Sequence, residues 1–155
     1  MMQINEKNYV DKAEAAITRL SKMVNRQGKV IPMVTTSKIR NLLAMAADIY
    51  NQALDCKEDV LPDELISRID YLRVRFMYEA GREQGVKSLI EEADLLDIMK
   101  EIRGNKNNYI LFYHYMEALV AFKRYMNKND EKNSSDMDGR LPNGWHGNGT
   151  TCPPQ

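Results

Sequence analysis

At 155 residues, 43% hydrophobic and 28% charged, the chain is long enough to bury the core of one domain. Its 22 Lys plus Arg balance 22 Asp plus Glu, which excludes a general basic field, so an anionic partner has to be met by a local patch. The only cysteines, Cys56 and Cys152, exclude a disulfide framework and a cysteine-ligated metal centre.

The opening stretch, MMQINEKNYVDKAE, is charged where a signal peptide needs an apolar run, and no uncharged segment approaches the length of a membrane span. A soluble cytoplasmic protein in a reducing compartment is the expectation. The hydrophobic period is helical almost throughout, which predicts an all-α fold: a compact bundle of about five helices with no strand. The first helix is expected over 7 to 25, with Val10, Ala13, Ile17, Leu20 and Val24 on one stripe, ending in the polar NRQGK. VIPMV, at 30 to 34, reads as an extended connector because Pro32 biases its predecessor away from helix. The second helix begins where Thr36 or Ser37 can cap, turns Ile39, Leu42, Leu43, Ala46, Tyr50 and Ala53 inward, and stops near Cys56.

Pro62 suits a first helical position, and Asp63 and Glu64 suit the positive end of the helix dipole that follows. This third helix carries Leu65, Ile69, Leu72, Phe76 and Ala80 as its core row and ends around Gly81 and Gly85. A fourth is expected over 86 to 103, closing at Gly104. The fifth, NYILFYHYMEALVAFKRYM, is apolar on nearly all sides and belongs at the centre. Residues 1 to 126 thus form the helical domain. Beyond it, 127 to 155 are rich in Asn, Gly, Asp and Pro with little to bury, and are expected to be a disordered tail in which Trp145 and His146 make no motif.

The third helix poses the functional question. RIDYLRVRFMYEAGR sets four arginines among apolar and aromatic residues. Arg68, Arg75 and Arg82 are spaced by seven, so they fall nearly in line, about 10.5 Å apart along the axis, with Tyr71 and Tyr78 beside them. Guanidiniums fork to phosphate and phenols hydrogen-bond or stack, a combination suited to a sugar-phosphate backbone. A solvated face paired with Glu64 and Glu79 accounts for the same pattern. Arg73 points elsewhere, between Ile69 and Phe76, and reads as structural, its stem on apolar neighbours and its head paired with a carboxylate. Lys38 and Arg40 flank opposite sides of the second helix's stripe and need not share a patch.

Catalytic patterns are sparse. His114 lies in the apolar fifth helix and reads as a buried, hydrogen-bonded core residue; no His pair, no Cys with a base and no HExxH is present. HYME reverses the order of a di-iron motif and occurs once. The acids Glu79, Glu83, Glu91, Glu92, Asp94 and Asp97 straddle the third and fourth helices. They would make a Mg-dependent all-helical nucleotide pyrophosphohydrolase only if they converged, and a solvated acidic face is the simpler reading. No cofactor, no metal and no catalytic residue is expected.

TTSKIRNLL at 35 to 43, RIDYLRVRFMYEAGRE at 68 to 83, VKSLIEEADLLDIMKEI at 86 to 102 and YMEALVAF at 115 to 122 are similar to the small subunit of the type III-A CRISPR-Cas effector, the Csm interference complex. The likeness spans about 1 to 126, in order; the tail shares none of it. The resemblance implies an all-helical bundle in several copies, stacked head to tail beside RAMP-type backbone subunits and the large subunit. It further implies contact with the crRNA and target-RNA backbone in antiviral defence, without sequence choice and without catalysis. On the resembling stretches, Lys38, Arg40, Arg68, Arg73 and Arg82 occupy motif positions; Arg75 is added on helix geometry alone. A bundle that contacts proteins and never RNA is the alternative.

Overall fold

The computed structural model describes residues 2–126, so the expectations for the tail, including Trp145, His146 and Cys152, lie outside the described residues. Six helices follow one another: α1 (Tyr9–Ser21), α2 (Thr36–Asp55), α3 (Asp63–Arg82), α4 (Gln84–Glu92), α5 (Leu95–Glu101) and α6 (Lys106–Met126). The fold is all-α. Among the described residues no strand forms, and only isolated antiparallel bridges join Val24 to Val30 and Val60 to Asn105.

Helix α1 buries Ala13, Ala16, Ile17 and Leu20, a helical stripe. Val10 and Val24, expected on that stripe, are 44% and 55% exposed. The helix stops at Ser21, and Asn25 then accepts the backbone N–H groups of Gln27 and Lys29, so Val24 sits in a tight turn rather than on a helical face. Helix α2 is capped one residue earlier than expected: the Thr35 hydroxyl accepts the Lys38 N–H at 3.2 Å. Its buried row includes Ile39, Leu42, Leu43, Ala46 and Ala53, with Tyr50 half-buried.

Helix α3 presents Leu65, Ile69, Leu72 and Phe76 to the core, as its sequence predicts. It passes into α4 through one extended residue, Glu83 (φ −137°, ψ 127°). Just inside α4, Gly85 lies against the 33–34 connector. A Cβ there would come within 3.0 Å of the Val34 backbone N and Cα. The single helix expected over 86 to 103 is instead two, because Asp94 adopts a left-handed conformation (φ 53°) between α4 and α5. Both halves still bury their apolar faces, with Val86, Leu89 and Ile90 on the first and Leu95, Ile98 and Met99 on the second.

Helix α6 is the centre of the bundle and packs most extensively on α2 and α1. Tyr109, Phe112, Tyr113, Met116, Leu119 and Val120 are among its buried residues. The Tyr109 hydroxyl donates to the Ala46 carbonyl at 2.7 Å and the Tyr115 hydroxyl to the Ala93 carbonyl at 3.0 Å. Burial pushes both phenols above their ordinary acidity range. Tyr113 stacks on Tyr50 at 4.0 Å between ring centroids, but its buried hydroxyl has no hydrogen-bond partner among the described residues. Among the described residues no helix is long and apolar enough to cross a membrane.

Candidate nucleic-acid interface

Two ion pairs mark the register of α3 on α2. Arg68 near the start of α3 holds Asp48 late in α2, while Glu83 just past α3 holds Lys38 in the first turn of α2 at 2.8 Å. The helices therefore run antiparallel. Lys38, Asn41, Met45, Asp48 and Gln52 follow one another by three or four along the flank of α2, opposite the arginine line of α3. Between the flanks runs a groove of about 360 Å³, lined by Lys38, Asn41, Arg75, Glu79 and Arg82 over Leu42, Met45 and Val86.

The groove brings together residues that the sequence left apart. Lys38 joins Arg75 and Arg82, whereas Arg40, half-buried, does not line it. Glu79, whose side chain is 14% exposed, lies 3.4 Å from Arg82 and 4.0 Å from Arg75, one carboxylate oriented toward two guanidiniums. Tyr78 lies between the same pair, its ring centroid 5.8 Å from Arg75 and 5.7 Å from Arg82. Tyr78 and Tyr71 are 58% and 63% exposed; with Val74 and Met77 they form an apolar ridge on the outer side of α3. Arg68 stands at the far end of the line, and its hydrogen bond and charge hold the Asp48 carboxyl below its ordinary pKa.

Arg73 projects from the opposite side of α3, toward α5. It is half-buried beside Ile69 and Met99, and the carboxylate expected at its head is absent among the described residues. His114 is half-buried in α6, its Nε2 3.5 Å from the Tyr50 hydroxyl; burial pushes its pKa down, and the Glu6 charge pulls the other way. The acids do not converge. Glu79 sits on Arg75 and Arg82, Glu83 on Lys38, Glu92 on Arg19 at 2.9 Å and Asp97 near Lys100 at 3.9 Å. Among the described residues no three His, Cys, Asp or Glu side chains group as a metal site.

Sequence reasoning missed Asn41 as a groove residue and Asp48 as the partner of Arg68. The three-and-four spacing of the α2 flank was the available signal, since it forms a polar row beside the buried one.

A family model described as Csm2 Type III-A matches residues 14–129. The chain is 42% identical over 130 residues to a CRISPR system Cms protein Csm2 from Streptococcus thermophilus, covering 84% of this chain and all of that protein. Identity to the protein of the same name from Mycobacterium tuberculosis is 35%, with the same coverage of both. An Enterococcus italicus relative, also named Csm2, is 32% identical over 63% of this chain and 71% of its own length. With a family match over most of its length and relatives matched from end to end, the chain belongs to the Csm2 family of type III-A CRISPR systems.

Proposed function

We propose that the chain is a non-catalytic small subunit of a type III-A effector ribonucleoprotein and binds the RNA backbone along the α2–α3 groove. One observation carries the reading: Lys38, Arg75 and Arg82 line a single groove, with Tyr78 between the two guanidiniums. Arg68 continues the line and Tyr71 stands on the ridge beside it. In this reading pairing between crRNA and target RNA reads the sequence, while this subunit supplies charge and shape along the ribose-phosphate track.

The acidic partners of these cations are compatible with that role. Exposed ion pairs contribute about 0–1 kcal/mol, so phosphate can replace Glu83 on Lys38 or Asp48 on Arg68 at little cost. Until then the acids keep long side chains aligned. In this reading the chemistry lies elsewhere in the complex; in support, Glu79, Glu83 and Glu92 lie in separate ion pairs rather than together. Copies of this chain, RAMP-type backbone subunits and the large subunit are the proposed protein partners, in the cytoplasm and in antiviral defence. The balance of 22 acidic and 22 basic residues suits a body that stacks on its own copies.

The exposed ridge of Tyr71, Val74, Met77 and Tyr78 favours a second reading, an interaction bundle that touches protein only. A combined Arg68→Ala, Arg75→Ala, Arg82→Ala variant separates the two. On single-stranded RNA each lost phosphate contact removes about 0.7 from the slope of log affinity against log salt. RNA retention by the assembled complex is expected to weaken and its slope to flatten, with the fold preserved. A folded variant with an unchanged slope would leave the protein-only bundle standing.

A further inference from the structure

The groove accounts for Arg68, Arg75 and Arg82, but not for Arg73. On the other side of α3, Arg73 opens into a separate pocket of about 260 Å³ between α3 and α5. Ile69, Met99 and Ile102, all buried, contribute an aliphatic floor, while Arg73, Lys100 and Arg103 stand at its walls with Asp70 as the one acid. Neither guanidinium has an ion-pair or hydrogen-bond partner among the described residues, and Lys100 has only a loose, exposed contact with Asp97 at 3.9 Å.

The backbone that positions Arg103 is unusual. Arg103 has φ 47° and Gly104 φ 70°, two successive left-handed residues where α5 gives way to α6. A non-glycine residue held there is strained, and such strain concentrates at functional sites. The turn is fastened: the Leu61 N–H donates to the Gly104 carbonyl at 2.8 Å and the Lys106 N–H to the Asp59 carbonyl at 2.7 Å. A Cβ at Gly104 would lie 2.9 Å from Ile66 Cδ1, the end of a side chain that can turn aside, so the positive φ rather than packing favours glycine there.

Three cations against one carboxylate favour an anion, and the aliphatic floor favours a flat apolar body attached to it. The volume is larger than a lone phosphate needs and just below the range of about 300 Å³ and above typical of drug-sized ligands. We infer that the α3–α5 pocket binds a single nucleotide, its phosphate held by Arg73 and Arg103 and its base laid on Ile69, Met99 and Ile102. Asp70, on the pocket wall, is placed to accept a hydrogen bond from a ribose hydroxyl or a base amino group. The same chemistry is offered by a free nucleotide and by one residue of an RNA strand. The site is independent of the α2–α3 groove, lying across α3 from it.

The test uses the full ¹⁵N-labelled chain titrated with uridine 5′-monophosphate, following the Gly104 amide and the arginine Nε–H signals. Saturable shifts at Gly104 and at two arginine side chains are expected. Affinity for inorganic phosphate should be weaker by about tenfold, the loss expected when an apolar base no longer leaves water. Arg73→Gln should lower nucleotide affinity by about tenfold or more, as loss of a charge-assisted contact does. Arg103→Gly removes the other cation while relieving the left-handed backbone, so its loss of binding cannot be laid to misfolding. A Lys38→Gln, Arg82→Gln variant should leave the shifts unchanged, which separates failure here from failure of the groove reading. Hexauridylate distinguishes the sources: it outbinds the mononucleotide at Gly104 if the pocket takes a strand residue, and binds less well if it takes a free terminal phosphate. No shift at Gly104, equal binding of inorganic phosphate, or displacement by an oligoglutamate peptide as effective as the nucleotide would overturn the proposal.

Discussion

Helices α3 and α6 are nearly equal in length, 20 and 21 residues, and both carry tyrosines and basic residues, but they dispose of them oppositely. In α6 the phenols of Tyr109 and Tyr115 turn inward and donate to main-chain carbonyls of α2 and of the α4–α5 junction. In α3, Tyr71 and Tyr78 face outward among arginines whose partners are the exposed Asp48, the mostly buried Glu79 that Arg75 and Arg82 share, or the tyrosine ring itself. Buried polar groups are costly when unmade, while exposed ion pairs are nearly neutral. Stability therefore concentrates on α6 and transferable charge on α3, and the two helices respond to substitution in different measurements.

The largest effect is expected at Phe112, fully buried on α6 with Tyr109 and Phe76 as ring neighbours at 5.7 and 6.3 Å. Phe112→Ala should cost about 3–5 kcal/mol in urea unfolding. A loss no larger than that of an α3 arginine variant would erase the contrast. The tyrosines of α6 sharpen it. Tyr109→Phe removes a buried hydrogen bond and should cost about 1 kcal/mol, whereas Tyr113→Phe removes a hydroxyl with no partner and should stabilise by up to about 1 kcal/mol. Equal changes of the same sign would show that the Tyr113 hydroxyl is satisfied in solution.

A smaller effect is expected with pH. Burial holds the folded-state pKa of His114 below the ordinary 6.5, so folding favours the neutral ring. Its contribution is full above pH 6.5 and is lost as pH falls through the lowered folded value. Unfolding measured from pH 8 down to 5 should show that decline in the wild type and a flatter profile in His114→Gln. Asp48 adds a separate loss further down: its carboxyl is depressed by Arg68, so its share is present above the ordinary 3.8 and disappears as pH falls below it. Smallest per site should be the stability change in the triple arginine variant of α3, within about 0.5 kcal/mol at each position. Its signature belongs in the salt dependence of RNA binding.

Much of this division was legible in the sequence. The core row of α3 and the all-round apolar character of α6 are properties of helical period, and the structure has both. Period does not reveal where a continuous apolar face changes direction. Val86, Leu89, Ile90, Leu95, Ile98 and Met99 read as one helix, and nothing local forces the break at Asp94 beyond the tolerance of aspartate for left-handed backbone. Val10 shows that period names a face but not what covers it, and Val24 that period does not say where a helix stops. The line of Arg68, Arg75 and Arg82 was readable because it lies within one helix. Lys38 joins it only through the antiparallel register of α2 on α3, a tertiary fact.

The approach of Gly85 to the connector reaches further than its size suggests. The 30–34 segment has no repeating hydrogen bonds of its own, and its distance from α4 depends on a missing methyl group, since a Cβ at 85 would require the Val34 backbone to give way. Val34 leads directly into the Thr35 cap, and Lys38 follows within one turn of α2. The placement of a groove cation is thus inherited from a spacer outside the groove, on a different helix and some fifty residues downstream in the chain. One missing methyl group, next to the groove-lining Val86, thus sets the depth at which the connector delivers Lys38 to the groove.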